Sequence, residues 1–244
     1  MENINLKNLM VESIYDRGLF KAIFFSGIPG SGKSYVLSKI TDGMIEPRIV
    51  NTDKAIEYFS KQVGDDINTN QYYEYFRDSV KRMTLNQLAN NVNGMLPLFI
   101  DGTSNSLKSL FKREGILKSF GYDTGMVWIE TDLDQAIDRA SKRDRHVPPD
   151  FIRDVYNQLR KNKEYYRGHF RFFQEIKNGE GELTDSVIKS AYSKVSQFFN
   201  TNVTNPVGME NIEHAKQGGG YLVPSVYRTI EDIRNVLSGW YGNY

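Results

Sequence analysis

The chain has 244 residues, 39% of them hydrophobic and 25% charged, with 31 basic and 30 acidic side chains and a formal net charge of +1. That composition suits a globular protein with one well-cored domain of about 150 to 200 residues plus decoration. Cysteine is absent, which excludes disulfides, thiolate zinc sites and cysteine nucleophiles; no apolar run approaches the ~20 residues that span a bilayer, and the polar N-terminus is unlike a secretory leader, so the expectation is a soluble cytoplasmic protein with no membrane partner.

Residues 1–19 carry Leu6, Leu9, Met10 and Ile14 at helical spacing, which predicts an N-terminal helix. The run Lys21-Ala22-Ile23-Phe24-Phe25 ends in Ser-Gly, the pattern of a strand buried in a parallel sheet. A turn rich in glycine follows, then a helix from Lys33 to Ile40; strand, Gly-rich turn and helix open an α/β domain. A second strand is predicted at 48–51, helices at 53–62 and 71–92, and a third strand at 96–100, stopping at Asp101-Gly102-Thr103. A helix at 106–119, a strand at 124–130 and a charged helix at 133–145 come next. Pro148-Pro149 starts a further helix reaching about residue 163, and a fifth strand is read at 170–176. Past Lys177 a helix is expected over 184–200, a loop or linker over the Asn-rich stretch 201–220, and a docking helix built on Ile230, Ile233, Val236, Leu237 and Trp240. Three units result: an N-terminal helix 1–19, a core 20–177, and C-terminal helices and linker 178–244.

The first strand leads into Gly27-Ile28-Pro29-Gly30-Ser31-Gly32-Lys33-Ser34, which matches G-x-x-x-x-G-K-[ST]. Glycines let successive backbone N–H groups curl round an anion where a side chain would collide. The following helix, with Tyr35 in its first turn, aims its positive end at the same place. Lys33 is of a length to reach β- and γ-phosphates, and the Ser34 hydroxyl is a Mg²⁺ ligand in such loops. A strand before and a helix after set this stretch apart from a chance Gly-rich turn.

Phosphoryl transfer also needs a group for the acceptor hydroxyl and positive charge on the moving phosphoryl. Parallel sheets place such groups at the C-terminal ends of their strands. Asp53 follows the second strand and reads equally as a general base or as a helix N-cap. Asp101 ends the third strand and is a candidate for Mg²⁺ or substrate, or else a turn residue; Thr103 and Asn105 are weaker candidates for substrate hydrogen bonds. Asp101-Gly102-Thr103 is not a phosphatase motif, because Phe99 stands where a nucleophilic carboxylate is needed. Arg139 and Arg143, four apart, share a face of the charged helix and suit a lid over the phosphates, or else a solvated surface. His146, His169 and His214 lack metal-ligand spacing.

With these residues in hand, the chain resembles the P-loop kinase family of phage polynucleotide kinases and zeta toxins. GIPGSGKS is similar to that family's phosphate loop, VNTD to its strand-then-Asp element, and FIDGTSN to its [D/E]-x-T element. RASKRDRHVPPDFIRDVY, residues 139–156, is similar to its arginine lid followed by Val-Pro and a helix. The resemblance covers residues 20–170 and implies a P-loop kinase fold: a central parallel five-stranded sheet of order 2-3-1-4-5, flanked by helices, here with extra C-terminal helices. It implies ATP and Mg²⁺, Asp53 as general base, and Arg139 and Arg143 on the phosphates. Polynucleotide kinases often carry an arginine three residues after the base; here that position is Ile56.

Three functions stay open. The first is a kinase acting on a hydroxyl of a nucleic acid or nucleotide, either a 5′ end or a hydroxymethylated base in DNA. Residues 139–171 hold ten Lys or Arg against four acids, with Tyr156, Tyr165, Tyr166, Phe170, Phe172 and Phe173 among or beside them, a pattern that suits base stacking and equally suits an ATP lid over a core. The second is a zeta-toxin-like kinase of a small molecule such as a nucleotide sugar. The third is an ATP-driven switch whose C-terminal part binds a protein partner.

Overall fold

The computed structural model describes residues 18–42, 48–51, 56, 73–142, 147–217 and 230–241. Along the first strand, β1 (Lys21–Ser26), the side chains alternate between two buried faces. Ala22 and Phe24 enter one apolar cluster, Ile23 and Phe25 the other. A strand buried on both sides reads as a continuous apolar run, which is why β1 stands out in the sequence. The other strands are β2 (Arg48–Val50), β3 (Leu98–Asp101), β4 (Asp123–Glu130) and β5 (Phe172–Lys177). They form one sheet of order β2-β3-β1-β4-β5, with every neighbouring pair parallel. Phe24 lies level with Ile100 on one side and with Met126 on the other.

Helices α1 (Lys33–Thr41) and α6 (Asp185–Asn200) cover one face. Val36, Leu37 and Ile40 of α1 and Ala191, Val195 and Phe199 of α6 pack there against Phe99, Val127 and Ile129. The other face is covered by α2 (Tyr73–Asn93), α3 (Leu107–Ser119), α4 (Leu133–Ser141), α5 (Pro149–His169), α7 (Pro206–Lys216) and α8 (Ile230–Leu237), the last followed by a 3-10 turn at Ser238–Tyr241. Leu88, Leu117, Ala136, Leu159, Ala215, Leu237 and Trp240 join that cluster. None of the described helices is long and apolar enough to cross a membrane.

Three elements differ from the sequence reading. The stretch expected to be loop over 201–220 contains α7, with Asn205 capping the Val207 N–H and Pro206 in the first turn. Its buried positions are Gly208, Asn211 and Ala215, which are helically spaced but too small or polar to show as an apolar stripe. Helix α5 runs six residues past the expected end, because Tyr166 continues the buried line of Ile152, Val155 and Leu159. Helix α4 ends at Ser141, with Lys142 as its cap; residues 143–145 of the expected helix lie outside the described residues. The predicted helices at 1–19 and 53–62 lie outside the described residues, apart from Gly18, Leu19 and the buried, helical Ile56.

Candidate active site

At the C-terminal end of β1 the chain turns through Gly27 to Gly32 before α1 begins. The Ser31 N–H bonds the Ile28 carbonyl at 3.1 Å, closing a tight turn. Gly30 and Gly32 adopt φ of 83° and 81°, a region that side-chain-bearing residues rarely enter. A Cβ on Gly30 would also collide with the Ala136 carbonyl. Gly32 caps α1 without a side-chain acceptor, and the first-turn amides of an α-helix point out of its N-terminal end. This is the arrangement of an anion cradle. Lys33 reaches back across the loop, its Nζ donating to the Gly27 and Ile28 carbonyls at 2.8 and 3.1 Å. Gly27, Ile28 and Ser31 are buried, Pro29 half-buried, and the Tyr35 ring lies exposed beneath the Lys39 ammonium.

Ser34 and Asp101 line one cavity of about 460 Å³, together with Leu37, Ser38, Thr41, Asp42 and Ile49. Asp101 accepts a hydrogen bond from Asn51 Nδ2 at 2.7 Å, joining the ends of β2 and β3. The loop that follows is tied to the foot of the cradle: Gly102 N–H donates to the Phe25 carbonyl, and Ser26 Oγ to the Thr103 carbonyl. Thr103 Oγ1 donates to Asn105 Oδ1, and Asn105 Nδ2 donates to Gln158 Oε1. From α5, Asn162 bonds the Asn105 carbonyl and Tyr166 bonds that of Ser104. Burial pushes the Tyr166 phenol up to about 12, so it stays a donor throughout the physiological range. Ser104 itself sits at φ 57°. The loop 101–105 is therefore a fixed shelf of uncharged hydrogen-bonding groups running out from Asp101.

Arg139 is bonded through one guanidinium nitrogen to the Asn178 carbonyl at 3.0 Å and through another to Gln135. Asp53 and Arg143 lie outside the described residues. The structure thus brings together Gly27 to Tyr35, Asp101, Thr103 and Asn105 on one sheet edge, with Arg139 joined to that edge through Asn178. Sequence reasoning missed Asn178, Gln158 and Asn162. Single amides after a strand or on an exposed helix face carry no pattern that marks them.

The basic stretch 139–171 is less free than its composition suggests. Lys163 is gripped by Glu130 and Glu175, both at 2.9 Å, and Arg167 by Glu175 at 2.6 Å. Burial lowers the Lys163 ammonium, but its two carboxylate partners outweigh that and hold it above its ordinary value. Burial likewise raises Glu130, and the bonds from Lys163 and Trp128 bring it below the usual carboxylate range. Of the aromatics expected to stack bases, Tyr166 and Phe170 are core residues, Phe172 and Phe173 are half-buried, and Tyr165 is exposed.

The zeta toxin family model matches residues 13–186. The chain belongs to the zeta toxin family. It is thereby a P-loop phosphotransferase that uses a nucleotide donor and a hydroxyl acceptor. Among solved structures, a chain of the Pnkp1/Rnl/Hen1 RNA repair complex is similar at 20% identity and a TM-score of 0.50, covering 62% of this chain and 48% of that one. This zeta toxin family member therefore spans about half the length of that relative. A putative kinase from Chloroflexus aurantiacus j-10-fl is similar at 12% identity and a TM-score of 0.54, covering 75% of this chain and 100% of that one. These two likenesses are likenesses of fold. No curated protein matches the sequence.

Proposed function

We propose that the chain transfers the γ-phosphate of ATP to a hydroxyl carried by a nucleic acid or a nucleotide. The observation that carries this reading is the single cavity lined by Ser34, from the first turn behind the cradle, and Asp101, at the root of the polar shelf. A hydroxyl and a carboxylate are hard oxygen donors suited to Mg²⁺, which keeps several waters and phosphate oxygens in its shell. Among the described residues no group of three or more His, Cys, Asp or Glu gathers to hold a metal, so an ion here would rely on Ser34, Asp101 and the phosphates. Bound there, Mg²⁺ would neutralise charge on the β- and γ-phosphates.

The protein's own part is positioning and proton transfer. The N-terminal amides of α1 and the Lys33 side chain hold the phosphates, with Lys33 exchanging its two loop carbonyls for phosphate oxygens. The acceptor oxygen attacks the γ-phosphorus, the bond to the β–γ bridging oxygen breaks, and ADP leaves. The hydroxyl proton passes to Asp53, and Arg139 and Arg143 steady the charge of the moving group. Asn51 holds Asp101 in place, while Thr103 and Asn105 offer hydrogen bonds to the acceptor.

A nucleotide sugar is the second reading. It is favoured by the uncharged shelf Thr103–Asn105–Gln158 and by the pairing of Lys163 and Arg167, which leaves less basic surface for a polymer. Exposed Arg153, Arg160 and Lys161 on α5 favour the polymer.

The test offers γ-labelled ATP and Mg²⁺ with 5′-hydroxyl DNA, 5′-hydroxyl RNA, hydroxymethyluracil DNA, or a pool of nucleotides and nucleotide sugars. Label in a polymer or a free nucleotide supports the first reading. Label in a nucleotide sugar alone selects the second. Label only in inorganic phosphate overturns both, and leaves an ATP-driven switch with a protein partner.

Asp53→Asn is expected to lower transfer by at least about a hundredfold while ATP affinity stays within about twofold. Lys33→Ala is expected to weaken both. Full transfer activity in Asp53→Asn removes that residue from the base role.

A further inference from the structure

The peptide that joins Ser31 to Gly32 lies at the heart of the cradle, and its orientation is held from behind. The Ser31 carbonyl accepts Asn178 Nδ2 at 2.6 Å and Thr131 Oγ1 at 3.2 Å. A trans peptide is planar, with its C=O and N–H pointing in opposite directions. Drawing the Ser31 oxygen toward the ends of β4 and β5 therefore turns the Gly32 N–H the other way, out into the loop with the amides of Lys33 and Ser34. Among the described residues no backbone carbonyl accepts that Gly32 N–H.

Asn178 is itself fixed on three sides. Its N–H continues the β4–β5 ladder by bonding the Glu130 carbonyl at 2.8 Å, its own carbonyl accepts Arg139, and its side chain is buried. The fit to the loop is close enough that a Cβ on Gly32 would collide with Asn178 Nδ2. Gly32 is thus required twice over, by its φ and by the amide packed behind it.

We infer that Asn178 is a positioning residue for the nucleotide phosphates, acting through the Ser31 carbonyl to aim the Gly32 N–H at the anion. The inference rests on the nucleotide-binding reading of the cradle. Asn178 touches no phosphate. It replaces the water that would otherwise satisfy the Ser31 carbonyl and let that peptide rotate. Thr131 is the second, longer donor to the same oxygen, so the two side chains back each other up. Arg139 braces the Asn178 backbone, so the lid-bearing helix and the cradle meet at this one residue.

The experiment measures ATP, ADP and adenosine binding by calorimetry on the full chain, with thermal unfolding alongside. Asn178→Ala is expected to weaken ATP and ADP about tenfold, the size of one well-aligned hydrogen bond, and to leave adenosine within about twofold. Thr131→Val alone should be nearly silent. Combined with Asn178→Ala it should cost more than the sum of the two, because the carbonyl then has no donor. Asn178→Asp, the same shape without the donor, should match or exceed the alanine variant. Should the alanine variant fold poorly, Asn178→Asp compared with Asn178→Ser, which keeps a hydroxyl donor on a shorter reach, asks the same question.

A lowered unfolding midpoint with unchanged ATP affinity in the folded protein overturns the inference, as does an equal loss for adenosine. Lys33→Ala separates the two levels. If it too leaves ATP binding intact, the cradle reading fails; if it abolishes binding while Asn178→Asp does not, only the role of Asn178 fails.

Discussion

Glu114 is a carboxylate on α3 that lies 3% exposed, and three groups converge on it: Thr124 Oγ1, Lys118 Nζ and a ring nitrogen of His169, each at 2.7 Å. Burial alone would push its carboxyl up. The hydrogen bonds from Lys118, Thr124 and His169 overcome that and bring it below its ordinary value. A carboxyl lowered by folding contributes stability that is complete above the unfolded value of 4.5 and disappears as pH falls through the lower, folded value. Asp123 behaves alike, with burial opposed by the bonds from Lys21 and Thr204. Glu114→Gln is therefore expected to cost about 1–3 kcal/mol near neutral pH and to flatten the acid limb of the stability curve. The two proteins should converge as pH falls below the lowered, folded value of Glu114, where both side chains are neutral. Urea titrations across pH 3–7 measure this, and parallel acid limbs would sink the assignment. The amide of Asn178, just past the C-terminal end of β5, follows the same rule. What such residues do depends on partners far away in sequence, Ser31 in one case and His169 in the other, so neither could be read from its neighbours.

Elements were legible to the degree that their buried positions are large and apolar. All five strands and their order follow from β1, β3 and β4 reading as unbroken hydrophobic runs and from the resemblance carried by the cradle. The charged helix α4 announced itself by its charges. Helix α7 did not, because close approach rather than bulk holds it: the Gly208 backbone lies against that of Gly121, and a Cβ on Gly208 would collide with the Gly121 carbonyl and press on Val203. Gly115, in the middle of α3, is exposed and has nothing near where a Cβ would go. The two glycines predict opposite outcomes for the same substitution. Gly208→Ala should destabilise by about 1–3 kcal/mol through overpacking, whereas Gly115→Ala should stabilise by about 0.8 kcal/mol through helix propensity. Thermal unfolding of both variants decides it. A Gly208→Ala protein as stable as the parent would mean that α7 is free to shift away from Gly121.

A core at 20–177 with an appended 178–244 remains a proposal about how the chain is organised, and packing sets its test. Val195 and Phe199 of α6 belong to the cluster beneath α1, the helix that carries the cradle. On the opposite face Leu237 and Trp240 belong to the larger cluster, and Arg113 of α3 bonds the Trp240 carbonyl at 3.1 Å with its guanidinium 5.6 Å from the indole. At the sheet edge remote from the cradle, Lys21 is 1% exposed. Its ammonium donates to Asp123, to Thr201 Oγ1 and to the Asn202 carbonyl, while Thr204 bonds Asp123 through both its N–H and its hydroxyl. Cutting the chain after 177 would strip those partners from a buried charge pair, a costly change, and uncover both faces of the sheet. An appendage that shares two hydrophobic clusters with its core and hydrogen-bonds the core's buried ion pair should unfold with it. Trp240→Ala is accordingly expected to lower the stability of the whole chain by about 3–5 kcal/mol. Trp128, buried in β4, should report that loss by fluorescence at the same urea concentration at which circular dichroism reports the helices. An early transition confined to the C-terminal helices, with the Trp128 midpoint unmoved, would instead establish the core as a unit that unfolds separately from them.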